Sequence, residues 1–223
     1  MAGSPLASVV LFHLGPLAIT RPVVTSWAII AVLALGAWFL TRRLTPHPNR
    51  RQAVLELIVT GIMGQIEEVI RKDPHPFLPL LGTLFIFLVA ANLSGVLPGV
   101  EAPTGKLETP AALALIVFAS VHFFGVRARG AFGYLAGFAK PKLIMLPLNI
   151  VSEVTRTFSL MVRLFGNVMS GEFVIALVVA LAGLLVPIPL MILEILVGVV
   201  QAYIFTVLAT VFIGAAVGTD ERG

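Results

Sequence analysis

Five ionisable side chains lie inside the long apolar stretches of the second half of the chain: Glu153, Arg156, Arg163, Glu172 and Glu194. An arginine at the centre of a membrane helix costs from about 2.5–3.5 kcal/mol on insertion scales to well over 10 kcal/mol in simulations. A structural ion pair could hold Arg163, and Glu153 and Arg156 could simply reach a membrane surface. The other interpretation is functional: these residues are suited to carrying ions across an apolar layer, with Arg163 at the centre.

Helical geometry places most polar neighbours of Arg163 on one stripe. At about 100° per residue, five side chains fall within about 40° of Arg163. They are Ser152, Arg156, Ser159, Asn167 and Ser170. Glu172 lies nine residues beyond Arg163 and about 180° away around the helix, so the two cannot form an ordinary ion pair within it. We therefore expect the polar stripe and Glu172 to face different surroundings.

A second polar face is predicted on the next helix. Glu194 and Gln201 are seven residues apart and nearly eclipsed, with Gly198 between them. A carboxylate, a small residue and an amide could line a narrow wet path, or dock against Glu172 or the polar stripe. If Glu172 and Glu194 met in a poorly hydrated place, their repulsion would keep a proton on one of them near neutral pH, as a proton relay requires.

The elements that carry these residues are predicted to be membrane helices. The chain has 223 residues, of which 58% are hydrophobic and 12% charged, against about 25% charged in a soluble domain. We predict an all-α integral membrane protein with about five membrane helices in one irregular bundle, forming a single membrane domain over residues 1–223. Its expected segments are a tail at 1–22, a first span at 23–41, an amphipathic cytoplasmic-surface helix at 51–72, spans at 80–97 and 111–126, and a long C-terminal helical hairpin at 143–185 and 190–217 that carries the ion path.

The first helix of this hairpin is too long to stand upright in a membrane. At 1.5 Å per residue, a helix over 143–185 measures roughly 60 Å, about twice the hydrocarbon thickness. We expect it either to be strongly tilted or to bend near Gly166 or Gly171.

The basic residues set the expected orientation. Arg42 follows the first span, and Arg127 and Arg129 follow the span at 111–126. Because an excess of Lys and Arg in short loops marks the cytoplasmic side, the N-terminus is expected outside and the C-terminus in the cytoplasm.

Several function classes are disfavoured by the composition. The absence of Cys excludes disulfides and thiolate chemistry, and the net charge of +4 is explained by membrane topology, without nucleic-acid binding. No Walker, HExxH or GxSxG motif is present. His122 has no His or carboxylate at the spacing of a metal site and is expected to be a packed or hydrogen-bonded group. We therefore expect no cofactor, no metal and no catalysis by the chain alone.

One string of residues is highly specific. Residues 158–167 read FSLMVRLFGN and are followed by Gly171-Glu172. This string closely resembles the signature helix of the a subunit in the membrane (Fo) sector of F-type ATP synthases. Three further stretches resemble the same family in order: NLSGVLP at 92–98, PLN at 147–149 with Glu153, and QAYIF at 201–205. The resemblance covers about residues 50–218.

The resemblance implies a role for each residue of the ion path. Arg163 corresponds to the family's essential arginine, which faces the ion-binding carboxylate of the rotating c-ring and prevents ions from short-circuiting between two offset half-channels. Asn167, Glu172 and Gln201 match positions that line those half-channels. Glu194 aligns with a position that varies between His and acidic residues, and Ser170 joins the path through the polar stripe.

The resemblance also implies partners and a location. The chain would be a stator subunit that is not catalytic by itself and works with the c-ring, the peripheral-stalk b subunits and the rest of the ATP synthase. It would be a multi-pass protein of the bacterial plasma (inner) membrane. The coupling ion, H⁺ or Na⁺, stays open, and a self-contained ion-coupled secondary transporter is the alternative function.

Overall fold

The computed structural model describes residues 10–14, 17–42, 50–96, 100, 102–138, 145–183 and 185–218. An antiparallel hairpin of β1 (Val10–Leu14) and β2 (Leu17–Thr20) lies within the expected tail. The helices that follow in the described residues are α1 (Arg21–Thr41), α2 (Arg50–Ile70), α3 (Leu78–Ser94), α4 (Glu108–Arg129), α5 (Ala131–Phe138), α6 (Met145–Ala182) and α7 (Ile188–Val217). A 3-10 turn, Pro103–Gly105, lies between α3 and α4. Residues 1–9 of the expected tail and the expected boundaries at 97 and 143 lie outside the described residues.

The described helices confirm the predicted all-α membrane bundle. Helices α1, α4, α6 and α7 are long and apolar enough to cross a membrane, and α3 is a shorter apolar helix of 17 residues. Helix α2 carries more charge, as the expected surface helix does, and its position relative to the membrane stays a prediction. The expected connector after α4 contains a short helix, α5.

Proline and glycine set several of the helix limits. The first turns of α1, α3 and α7 contain Pro22, Pro79 and Pro189. Backbone N–H groups in the first turn have no acceptor within the helix, so proline costs no hydrogen bond there. At the opposite ends, Gly130 after α4 and Gly183 after α6 have φ of +74° and +82°, which glycine adopts far more readily than residues with a side chain. These limits were therefore already present in the local sequence.

Helix α6 runs through Gly166 and Gly171 without interruption. With 38 residues it is roughly 57 Å long at 1.5 Å per residue, nearly twice the ~30 Å hydrocarbon layer. A continuous helix of this length cannot stand upright within that layer, and its tilt stays a prediction.

Helix α7 is the central element of the core. It packs against α2, α3, α4 and α6, and its Phe205 and Ile213 are fully buried beside Leu81 and Leu88 of α3 and Leu164 of α6. Helix α1 lies at the edge, in contact with α3, α4 and the 3-10 turn. The core therefore forms around α7, and α1 adds little to it.

Glycines allow two neighbouring helices to approach this bundle closely. The ring of Tyr134 in α5 lies against Gly125 of α4, and Ile70 of α2 lies against Gly214 of α7. Small residues permit such approaches in membrane bundles, where close packing replaces the hydrophobic effect between helices. Helices α2 and α5 are fixed to the bundle in this way.

Helices α6 and α7 form an antiparallel hairpin. The Arg156 guanidinium lies 5.5 Å from the ring centre of Phe212, and Asn167 is hydrogen-bonded to Gln201. From the first contact to the second, the α6 number rises by eleven and the α7 number falls by eleven, as antiparallel packing requires. The outer face of α6 keeps large apolar side chains exposed, among them Leu148, Val151, Phe158, Val162 and Phe173.

Candidate functional site

Arg163 lies in the middle of α6, on the side that faces away from the bundle. Its side chain is exposed, although the flanking Leu160 and Leu164 are buried in the core. In the part of the chain that the structure describes, the guanidinium has no hydrogen bond and no ion pair. The structure thus gives no support to a structural ion pair for Arg163 among the described residues.

An open cleft of about 500 Å³ lies beside Arg163. Its polar lining comes from Ser152, Thr155, Arg156 and Ser159 of α6, and its other wall includes Phe212 of α7. The N-terminal half of the predicted polar stripe therefore opens into one space. Thr155 also lines it and was not part of the predicted stripe.

A smaller polar cavity of about 190 Å³ continues from this cleft toward the N-terminal end of α6. The two spaces share Ser152, Arg156 and Phe212 as lining residues. A carboxylate oxygen of Glu153 lies 3.8 Å from a guanidinium nitrogen of Arg156. Polar groups thus extend from Arg163 to this end of α6.

Tyr134 of α5 forms part of the wall of this smaller cavity, next to the C-terminal part of α4. Its side chain is buried, and its ring meets the His122 ring edge-on at 5.7 Å. Burial and the nearby negative charge of Glu153 raise the pKa of the Tyr134 phenol, while the positive charge of Arg129 lowers it. The phenol therefore stays protonated, and its hydroxyl is a neutral member of the cavity wall.

Toward the other end of α6, the hairpin is joined by two amides. The Asn167 Nδ2 donates a hydrogen bond of 2.6 Å to the Gln201 Oε1. Gln201 is only 2% exposed, and its Nε2 has no hydrogen-bond partner among the described residues. A buried amide donor without a partner is a favourable place for a water molecule.

One turn beyond Asn167, the two helices meet at Gly171. A Cβ added to Gly171 would lie 2.5 Å from the Glu194 Oε1 and 3.0 Å from its Cδ. The Glu194 carboxylate thus occupies the space that a side chain at position 171 would need. The structure brings Glu194 against α6 at the residue next to Glu172.

Glu172 points to a different element, the loop between α3 and α4. The Ala102 N–H donates a hydrogen bond of 3.3 Å to the Glu172 Oε1. A Cβ added to Gly105 would lie 2.9 Å from both carboxylate oxygens, so the carboxylate lies directly on the 3-10 turn. Glu172 and Arg163 face different surroundings, as their helical angles predicted.

Asn92 is a polar member of this region whose role the sequence did not reveal. Its Nδ2 donates a 2.8 Å bond to the Gly198 carbonyl of α7, and its Oδ1 accepts a 2.8 Å bond from the Thr104 hydroxyl. Asn92 and Thr104 are both buried. The available signal was an asparagine inside an apolar stretch, where an amide needs partners.

Ser170 is the one predicted path residue that the structure leaves apart. Its side chain is exposed, and its hydroxyl donates a 3.0 Å bond to the Asn167 carbonyl of its own helix. It thus contacts neither α7 nor the loop through a described hydrogen bond.

Comparison with known proteins finds similarity along nearly the whole chain. The model of the family described as ATP synthase A chain matches residues 23–214. A protein of Bradyrhizobium sp. (strain BTAi1) called ATP synthase subunit a 2 is 77% identical over the full length of both chains. A protein of Chlorobaculum parvum called ATP synthase subunit a 1 is 49% identical over 96% of each chain. A third, ATP synthase subunit a 2 of Acaryochloris marina, is 44% identical and aligns with 93% of this chain and 90% of its own.

The described part of the chain has no group of three or more His, Cys, Asp or Glu side chains that could hold a metal ion. The matched family model and the high identities place the chain in the ATP synthase subunit a family, in the Fo sector of a bacterial F-type ATP synthase.

Proposed function

We propose that the chain provides two half-channels for ions to the c-ring of the rotary ATP synthase and that Arg163 prevents ions from passing directly between them. One observation carries this proposal. The Arg163 guanidinium is exposed and has no described partner, while polar side chains lie along α6 on both sides of it, toward opposite ends.

The exposed Arg163 guanidinium would be stabilised by an anionic partner from another subunit. The face of α6 around it is apolar, with Phe158 and Val162 exposed nearby. A carboxylate on the c-ring that approached to about 4 Å would gain about 4 kcal/mol at an effective dielectric constant of 20. An ionised ring carboxylate is therefore stable beside Arg163 and costly elsewhere in the apolar layer.

This electrostatic preference makes the motion directional. The half-channel toward the loop between α3 and α4 is formed by Asn167, Gln201, Glu172 and Glu194. The other follows Ser159, Arg156 and Ser152. A ring site must release its ion before it passes Arg163 and take up an ion afterwards, so ions enter and leave on opposite sides. The membrane voltage supplies about 2.3 kcal/mol per charge per 100 mV.

The partners and the orientation follow from the same proposal. The hairpin of α6 and α7 faces the c-ring, and the b subunits of the peripheral stalk hold the chain against rotation. The loop between α3 and α4 lies outside, and α5 and the C-terminus lie in the cytoplasm. The chain carries out no covalent chemistry itself.

The central test is Arg163→Ala in the whole complex, reconstituted in vesicles. Arg127→Ala is the matched control, because Arg127 is an exposed arginine in the last turn of α4. We expect Arg163→Ala to abolish ATP synthesis and ATP-driven ion pumping while the complex still assembles, and Arg127→Ala to keep both activities.

Normal coupling in assembled Arg163→Ala would refute the proposal. Solute transport by the isolated chain, without the c-ring, would instead favour the secondary transporter. The same vesicles identify the coupling ion: at fixed pH, stimulation by Na⁺ indicates Na⁺, and its absence indicates H⁺.

A further inference from the structure

The loop between α3 and α4 is tied to two helices by a short chain of buried hydrogen bonds. The Thr104 hydroxyl donates to Asn92, and Asn92 donates in turn to the Gly198 carbonyl, each bond being 2.8 Å long. Thr104 is fully buried and Asn92 is 7% exposed. Neither side chain takes part in the half-channels as proposed above.

Gly198 allows this arrangement. A Cβ added there would lie 3.0 Å from the Asn92 Cβ, closer than ordinary side-chain contacts. The glycine therefore lets Asn92 reach a backbone carbonyl of α7 inside the bundle. The Asn92 amide uses its donor on α7 and its acceptor on the loop, so it fixes the position of one relative to the other.

The same loop supplies a donor to Glu172. The Ala102 N–H, two residues before Thr104, donates to the Glu172 Oε1, and Gly105, one residue after Thr104, lies under the same carboxylate. Thr104 thus lies between Ala102 and Gly105, the two residues at which the loop contacts Glu172. If the hydrogen bond of Thr104 to Asn92 were lost, both contacts would loosen together.

We propose that Thr104 and Asn92 are positioning residues that hold the Ala102 N–H against the Glu172 carboxylate and so set how readily the coupling ion enters the path from the loop side. This rests on the proposed function, in which Glu172 lines that half-channel.

The chemistry of the contact explains why its position matters. A backbone N–H bound to a carboxylate forms a charge-assisted hydrogen bond, which is stronger than a bond between neutral groups and sensitive to geometry. The backbone donor does not titrate, and its bond favours the charged carboxylate, which is the form without a bound ion. A loop free to move would weaken this bond, so that Glu172 would hold the ion more tightly.

The test measures ATP synthesis by vesicles of the whole complex at fixed voltage, with the coupling ion varied on the loop side. We expect Thr104→Val to lower the half-saturating ion concentration about three- to tenfold, as the loss of one buried hydrogen bond that favours the ion-free carboxylate would, with the maximal rate within about twofold. Thr104→Ser, which keeps the hydroxyl, should restore the normal value. Thr83→Val is the matched control, because among the described residues the Thr83 hydroxyl bonds to carbonyls of its own helix alone.

A second variant acts on the donor directly. Ala102 has a φ of −61°, which proline adopts, so Ala102→Pro removes the N–H at a compatible backbone angle. It should lower the half-saturating concentration as well. The double variant with Thr104→Val should lower it no further than Ala102→Pro alone, because both act on one contact.

Several results would overturn the inference. They are an unchanged or raised half-saturating concentration in Thr104→Val, an equal fall in Thr83→Val, and a loss of assembly in Thr104→Val but not in Thr104→Ser, which would mean a purely structural role. Arg163→Ala, measured in parallel, tests the proposed function separately. If Arg163→Ala loses coupling while Thr104→Val behaves as the unmodified complex, the half-channel proposal stands and only the positioning role is rejected.

Discussion

The contact between Gly171 and Glu194 offers a sharp test of the path toward the loop. In Gly171→Ala the new methyl group would lie 2.5 Å from the Glu194 Oε1, whereas ordinary contacts begin at 3.4 Å. The carboxylate must therefore move by about 0.9 Å, the difference between these two distances. Because it is the end of a flexible side chain, the strain is small, at about 0.5–1.5 kcal/mol for a distorted rotamer.

The expected effect is thus on ion transfer and hardly on stability. Alanine is favoured over glycine in a helix by about 1 kcal/mol, which offsets the rotamer strain. A displacement of about 1 Å in a reacting group can reduce a rate by up to about a hundredfold. We expect Gly171→Ala to assemble normally and to lose at least about tenfold in ATP-driven ion pumping.

The assay compares three variants of the whole complex in vesicles, at equal assembled amounts. Gly36→Ala in α1 is the matched control, since a Cβ at Gly36 would have no atom within 4 Å among the described residues, and it should pump normally. Gly171→Ala combined with Glu194→Asp should recover part of the rate, because the shorter side chain withdraws the carboxylate from the methyl group. If Gly171→Ala pumps as well as Gly36→Ala, or if Glu194→Asp deepens its defect, the proposed role of this contact is wrong.

Two further predictions concern the amide pair and the orientation. Asn167→Leu leaves the buried Gln201 amide without its 2.6 Å bond and should destabilise the assembled complex by about 1–3 kcal/mol. Adding Gln201→Leu should recover part of this, and additive losses in thermal unfolding would contradict a direct bond. Because the chain has no Cys, single introduced cysteines report which side of the membrane a residue lies on. In intact cells an impermeant maleimide should label Val100→Cys but not Phe132→Cys. Both parent side chains are exposed, Phe132 on α5 by 92%. The reverse labelling pattern would invert the proposed orientation.

The sequence alone determined the membrane helices and singled out Arg163 as a candidate. Apolar stretches of sufficient length can satisfy their backbone in hydrocarbon only as helices, and prolines and glycines next to them set several of the observed ends. An arginine in such a stretch is conspicuous because of its transfer cost. The angle between Arg163 and Glu172 also followed from sequence, since both lie on one regular helix whose geometry is fixed.

The contacts between helices were decided only by the tertiary structure. Gln201 could be placed on a face of α7, but its bond to Asn167 depends on the register of the hairpin, and no local rule sets that register. Ser170 shares the angular position of the polar stripe, yet its hydroxyl turns to its own backbone, because a helical angle does not specify which neighbour lies opposite. The loop at Ala102–Gly105 reaches Glu172 across about 70 residues of chain, and Asn92 reaches Gly198 across about 106. Such contacts depend on how glycines let helices approach and on which buried polar groups can satisfy one another, and these are properties of the packed bundle.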